Sequence, residues 1–137
     1  MIMEQGYFPA VLEKMLSKGG DFMSVVTMTT NKYQKCIDAC KRCEQACYEC
    51  FTMCLNEPDV QARKGCIQML VECAEICKVS GAFMAMNAQH AINVCQLCAT
   101  ICQKCEKECA MFKDEHCKAC ANECRTCANE CSMMARG

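Results

Sequence analysis

The sequence has no tryptophan, only two histidines and two prolines in 137 residues, and aromatic residues make up 6% of it. Its charges nearly cancel, because 15 lysines and arginines are matched by 16 aspartates and glutamates, for a net charge of -1. A chain without excess positive charge has no electrostatic basis for binding nucleic acid or an acidic membrane surface. It also lacks an apolar run of transmembrane length. We therefore predict no nucleic-acid partner and no membrane partner.

The N-terminal segment, MIMEQGYFP, lacks the basic and sustained apolar parts of an export signal. We therefore expect a cytoplasmic protein, in which thiols stay reduced. The sequence also lacks a phosphate-binding loop, paired catalytic carboxylates and a nucleophile–base constellation. Cys117 lies beside His116, but the cysteine spacing described next explains this pair better than a catalytic role does. We predict that the protein is not an enzyme.

Cysteine, by contrast, is abundant with 19 residues, and methionine contributes 12. In three segments the cysteines recur at alternating intervals of three and four residues, which is the spacing of inward positions on packed helices. These segments contain Cys36, Cys40, Cys43, Cys47, Cys50 and Cys54; then Cys95, Cys98, Cys102, Cys105 and Cys109; and finally Cys117, Cys120, Cys124, Cys127 and Cys131. A sparser set, Cys66, Cys73 and Cys77, lies between the first two segments. We call the whole pattern the cysteine ladder.

The ladder predicts an all-α protein, an antiparallel up-down-up-down four-helix bundle. Short connections such as Asn56–Pro58 join antiparallel neighbours, and Asn87 has the residue type of a helix N-cap. We expect helices over residues 31–55, 59–83, 88–112 and 115–134. Residues 1–30 contain no cysteine and form a separate extension with a short helix after Pro9, so the predicted domains are 1–30 and 31–137.

The spacing also bears on what fills the core. Residues three or four apart on a helix have Cβ atoms roughly 5–6 Å apart, whereas a disulfide requires roughly 3.5–4.5 Å. Two thiols on one face can instead hold one soft metal ion between them. Cu(I) accepts two ligands, and its single positive charge replaces that of the thiol proton it displaces. Four thiolates around Zn(II) instead leave two net negative charges, which buried lysine or arginine would have to offset. The cysteine faces contain neither residue type.

These residues resemble the copper storage proteins, specifically the cytosolic members, over about residues 31–134. The resemblance implies multiple Cu(I) ions held mostly by thiolate pairs, homotetramers, and a role in storing or detoxifying copper. The chain departs from a uniform ladder in the second helix, where Met69, Leu70, Ser80 and Met84 share the cysteine face. We expect up to about one Cu(I) per cysteine. The alternatives are a metallothionein-like Zn(II) or Cd(II) sink and an iron–sulfur electron-transfer protein.

Methionine and histidine cluster at the expected bundle ends. Met84, Met86, His90, Met133 and Met134 belong to one end, and His116 belongs to the other. Thioethers are soft ligands, so these residues are candidates for copper uptake or terminal ligation. The second and third helices carry more apolar residues than the other two, which favours a homo-oligomer. A copper chaperone is a candidate partner.

Overall fold

The computed structural model describes residues 31–136, and these residues form four α-helices. The helices are α1, Gln34–Leu55; α2, Lys64–Ala85; α3, Ala91–Cys109; and α4, Glu115–Ala135. A 3₁₀ helix, Val60–Arg63, leads directly into α2. No strand occurs in this part of the chain, so the all-α prediction is confirmed. The predicted N-terminal helix and the boundary at residue 30 lie outside the described residues.

Sulfur–sulfur contacts define how the helices run. The two ends of α1 contact opposite ends of α4, and α2 and α3 are related in the same way. These contacts are Cys36–Cys131 at 3.5 Å, Cys54–Cys117 at 3.9 Å, Cys66–Cys109 at 3.9 Å and Cys77–Cys98 at 3.9 Å. The Cys77 sulfur near the end of α2 also lies 3.8 Å from the Cys127 sulfur near the end of α4, so consecutive helices are antiparallel as predicted. We call the two ends of the bundle the Cys36 end and the Cys54 end.

The junction between α2 and α3 differs from the prediction. Asn87 was expected to cap the start of the third helix, but it follows the end of α2 with a φ of 51°. Its backbone N–H donates to the carbonyl of Met84, and the N–H of Ala88 donates to the carbonyl of Phe83. This pair of bonds is the Schellman motif, in which a left-handed residue ends a helix. The prediction for Asn87 was wrong because asparagine suits both kinds of helix terminus.

Thiols make up most of the core. Every cysteine of the chain is buried, with at most 1% of its surface exposed. The inward positions of α2 keep the alternating spacing, but cysteine holds only half of them. In chain order these buried positions are Cys66, Leu70, Cys73, Cys77, Ser80 and Met84. Hydrocarbon and a hydroxyl therefore fill the gaps that the sequence showed in the second helix.

The outer faces of the described helices are mixed in character. Val71 and Val79 on α2 are each 38% exposed, and Leu97 on α3 is 52% exposed. None of the helices within residues 31–136 has the length and apolar character required to span a bilayer. These apolar side chains lie on the outer faces of α2 and α3.

Candidate metal centre

The cysteine sulfurs form a continuous path along the bundle. Neighbouring sulfurs are 3.5–4.0 Å apart, and contacts connect residues from all four helices. In order of contact the path runs through Cys36, Cys131, Cys40, Cys127, Cys77, Cys102, Cys73, Cys43, Cys124, Cys47 and Cys120, and Cys98 branches from Cys77. All nineteen cysteines are free thiols. The absence of disulfides within this core agrees with the geometric argument from the sequence.

Several sulfurs belong to more than one four-sulfur group. Within each group the atoms lie within 4.8 Å of one another. The groups are Cys40, Cys77, Cys98 and Cys127; Cys43, Cys73, Cys77 and Cys102; Cys43, Cys47, Cys73 and Cys124; and Cys47, Cys105, Cys120 and Cys124. Sharing of sulfurs between groups favours bridging thiolates and a cluster over separate sites with four private ligands each.

Burial and contacts between sulfurs shift the pKa values of the core thiols in both directions when no metal is bound. Contact with Cys102 and then Cys127, together with burial, raises the pKa of the Cys77 thiol. Burial raises the pKa of the Cys117 thiol to about 12, and the nearby Cys54 sulfur adds to this shift. A thiol whose pKa is raised in this way stays neutral and avoids the desolvation cost of buried charge. A metal that binds such a thiol must displace its proton.

The Cys54 end carries a mixed sulfur and nitrogen group. The Cys50 sulfur lies 3.9 Å from that of Cys54 and 3.8 Å from that of Cys117. His116 Nδ1 lies 3.5 Å from the sulfurs of both Cys50 and Cys117, and these four residues form a further cluster of ligand atoms. His116 Nε2 lies 3.0 Å from a Glu57 carboxylate oxygen. A carboxylate on one ring nitrogen orients the other toward a metal.

His116 also faces the surface of the bundle. Its side chain is 15% exposed, and it lines an open groove of about 620 Å³ between α1 and α4. The other lining residues are Tyr48, Glu49, Thr52 and Met53. The mixed group is therefore reachable from solvent by a path that does not pass through the sulfur core.

Arg63 contacts the candidate ligands, although the cysteine pattern gives no indication of it. It lies in the 3₁₀ turn before α2, outside the cysteine ladder, and only 6% of its side chain is exposed. Its Nη1 donates to the sulfurs of Cys54 and Cys117, each at 3.6 Å. The expectation that no buried lysine or arginine faces the thiols does not hold at this end. The acidic residue four positions earlier, Asp59, was the available signal, because Arg63 Nε donates to it at 2.7 Å.

Of the methionines at the Cys36 end, some lie in the core and others at the surface. Met84 is fully buried at the last inward position of α2, whereas Met86 is 66% and Met133 is 43% exposed. Met134 is partly buried. His90 is exposed, with Nδ1 3.4 Å from the Asn93 side-chain oxygen. The structure therefore places Met84 at a core position and His90 at the surface.

This architecture, a four-helix bundle whose interior is lined by reduced thiols, defines a metal-binding bundle of the thiolate type. The model of one family, the copper storage proteins, matches residues 29–136. The chain belongs to the copper storage protein family. The family resemblance read from the cysteine ladder is thereby confirmed.

Solved structures agree with this assignment. The Cu(I)-bound copper storage protein BsCsp3 is 43% identical, with a TM-score of 0.72 over 76% of this chain and 99% of that one. A cytosolic copper storage protein from Streptomyces lividans, solved with five coppers, is 36% identical, with a TM-score of 0.74 over 77% of this chain and 92% of that one.

A curated relative from Bacillus subtilis (strain 168), the uncharacterized cysteine-rich protein YhjQ, is 42% identical over 66 residues. That match spans 48% of this chain and 61% of the relative.

Proposed function

We propose that this protein binds and stores many Cu(I) ions in the cytosol, in copper homeostasis or detoxification. The continuous path of buried, reduced sulfurs is the observation that carries the proposal. Its support is the likeness to proteins described as Cu(I)-bound, as loaded with copper and as cytosolic. Copper is the cargo of such a protein rather than a resident cofactor, and storage requires no catalytic step.

The proposed ligands are the nineteen cysteines, with a capacity of up to about one Cu(I) per thiol. Distance alone does not select the metal, because Zn–S bonds of about 2.3 Å in a tetrahedron also place sulfurs about 3.8 Å apart. The net charge of the bound site does select the metal. Among residues 31–136, Arg63 is the only buried lysine or arginine, so stacked tetrathiolate Zn(II) sites would leave their negative charge uncompensated in the core.

His116 is the proposed terminal ligand at the Cys54 end. Its Nδ1 faces two sulfurs while Glu57 holds Nε2, which matches the orientation of metal-binding histidines. At the Cys36 end we propose that Met84, Met86, Met133 and Met134 pass copper inward. Thioethers are neutral soft ligands, so they bind Cu(I) without a proton to displace. His90 is a surface ligand in this scheme.

The assembly is proposed to be a homotetramer joined through α2 and α3. Exposed Val71, Val79 and Leu97 supply apolar surface on these helices, and burying such surface favours association. A copper chaperone is the proposed donor of the ions. Light scattering on the purified chain tests the assembly, and a clean monomer would count against it.

Anaerobic titration of the reduced protein with Cu(I), in competition with a chromogenic Cu(I) chelator, tests the storage function. We expect saturation near one ion per cysteine, and fluorescence or absorption typical of Cu(I)–thiolate clusters. A parallel titration with Zn(II) serves as the matched control and should saturate at about one ion per four thiols or fewer. Saturation with Cu(I) below about half an ion per cysteine would defeat the proposal.

A further inference from the structure

Arg63 brings a permanent positive charge against the sulfurs at one end of the core. Its side chain is 6% exposed, and Nη1 lies 3.6 Å from both the Cys54 sulfur on α1 and the Cys117 sulfur on α4. A guanidinium has five N–H donors and no acceptor, so these two sulfurs must present lone pairs toward it. Hydrogen bonding of this kind favours sulfur atoms that carry negative charge.

The remaining nitrogens of Arg63 hold the guanidinium in that position. Nε donates to Asp59 at 2.7 Å and Nη2 donates to Asp114 at 2.6 Å. The ring of Phe112 stacks against the guanidinium, with its centroid 4.5 Å from the Arg63 Cζ atom. Each nitrogen therefore has its own partner, and Nη1 is the one that reaches the sulfurs. Lysine, with a single ammonium on a flexible stem, cannot reproduce this fork.

The two carboxylates offset the guanidinium charge only in part, although the Asp114 oxygen also accepts from the Cys117 thiol at 3.8 Å. The side chain of Asp59 is 51% exposed and that of Asp114 is 28% exposed, so water screens both more strongly than it screens the buried guanidinium. The sulfurs of Cys54 and Cys117 are fully buried. Their interaction with Nη1 takes place in the less polar interior, where electrostatic interactions are stronger.

We propose that Arg63 is a positioning residue that retains the copper held by Cys50, Cys54 and Cys117. This inference rests on the proposed storage function. Three thiolates around one Cu(I) carry two negative charges, and Arg63 offsets part of that excess through its bonds to two of the three sulfurs. Each thiol transfers its proton to solvent when its sulfur–copper bond forms, and copper remains Cu(I). The Cys54 end thereby becomes a site where copper is held after the rest of the core has been emptied.

The test uses the full chain loaded anaerobically with Cu(I) and then challenged with excess strong Cu(I) chelator. The wild-type protein should keep a slowly released fraction of about one ion, and Arg63→Met should release that fraction about tenfold faster, the effect of losing a hydrogen bond to a charged group. Arg63→Lys should fall between the two. Arg125→Met is the matched control, because Arg125 is exposed and pairs with Glu106 on the surface; its release should match the wild type.

A merely structural role for Arg63 gives a different pattern. Loss of a structural contact would lower the thermal stability of the metal-free protein and accelerate release of all ions to the same extent. A Cys54→Ser variant locates the effect, because it should remove the slow fraction. Adding Arg63→Met to that variant should then not change copper release any further. Three results would each overturn the inference. Arg63→Met could accelerate the release of all ions equally, the wild type could show no slow fraction, or Arg63→Met could have its full effect in the Cys54→Ser background.

Failure of the storage proposal is distinguishable from failure of this inference. A wild-type chain that binds few Cu(I) ions contradicts storage itself. A wild-type chain that fills its core but releases copper identically to Arg63→Met contradicts only the role of Arg63.

Discussion

The hydroxyl oxygen of Ser80 lies 3.8 Å from the sulfur of Cys95, and both residues are fully buried. Ser80 occupies the inward position of α2 that follows Cys77, so it interrupts the ladder where a thiol would otherwise face Cys95. A hydroxyl is a hard ligand that Cu(I) binds poorly compared with a thiolate. This contact marks a place where the storage core is incomplete.

Replacing Ser80 with cysteine should therefore extend the core. Sulfur and oxygen differ little in side-chain shape, and the new thiol would lie beside Cys95 near the Cys36 end. We expect Ser80→Cys to bind about one more Cu(I) per chain in the chelator titration. Ser80→Ala is the control and should bind as many ions as the wild type. An unchanged capacity in Ser80→Cys would mean that copper at Cys95 does not depend on its α2 neighbour.

Leu70 creates a second gap, between Cys66 and Cys73, and is fully buried. Leu70→Cys should lower the free energy of unfolding of the metal-free protein by about 2 kcal/mol, because it removes buried hydrocarbon and leaves space in the core. The same variant should gain copper capacity. Leu70→Ala, studied by urea unfolding and Cu(I) titration under reducing conditions, should lose at least as much stability without the gain. Equal capacity in the two variants would contradict a storage role for this position.

The stability of the metal-free bundle should decrease at high pH. The folded state holds the pKa of Cys117 at about 12, above its ordinary value of 9.0. The folded protein therefore keeps a proton that the unfolded chain loses, so this contribution is complete below pH 9 and declines as the pH rises toward 12. Thermal unfolding of the reduced protein from pH 7 to 11 measures the effect. Cys117→Ser should show a shallower decline, and a slope identical to the wild type would argue against Cys117 as a source.

The left-handed turn at Asn87 provides a test of the α2–α3 junction that is independent of copper. Asn87 has a φ of 51° and is exposed. Alanine at this position should lower the free energy of unfolding by roughly 1 kcal/mol, because it lacks the short polar side chain that lets asparagine adopt left-handed backbone. Glycine should stabilise slightly or leave stability unchanged. Asn129→Ala, on the exposed face of α4, is the control and should not destabilise. Equal effects of Asn87→Ala and Asn87→Gly would contradict the Schellman turn.

Copper uptake at the Cys36 end predicts a kinetic effect of its methionines. Replacing Met84, Met86, Met133 and Met134 with leucine preserves volume and removes soft ligands. We expect slower Cu(I) loading in stopped-flow measurements and an unchanged final capacity. The matched control replaces Met53 and Met111, which are exposed at the Cys54 end, and should load normally. Slower loading in the control alone would place uptake beside His116.

Periodicity determined most of the fold, since alternating three- and four-residue intervals can only align thiols on a helical face. The spacing of Cys36 to Cys54 thus gave both the length of α1 and its buried side. The first and last residues of α2 were harder to predict from the sequence. A 3₁₀ turn replaces the first turn expected after Pro58, and the helix continues through Ser80 and Gly81 to Ala85. Both differences depend on packing, because local propensity at a helix terminus is weak compared with burial of the neighbouring side chains.

The sequence by itself determined that the core consists of thiols, that these thiols are too far apart along a helix for disulfides, and that the helices form one bundle. Residue spacing is sufficient for these conclusions, because it fixes which side chains share a face. Only the tertiary structure decided which sulfurs meet, how His116 joins Cys50 and Cys117, and that Arg63 reaches two sulfurs from outside the ladder. Contacts between helices depend on their relative rotation and offset, and no pattern within a single helix specifies these.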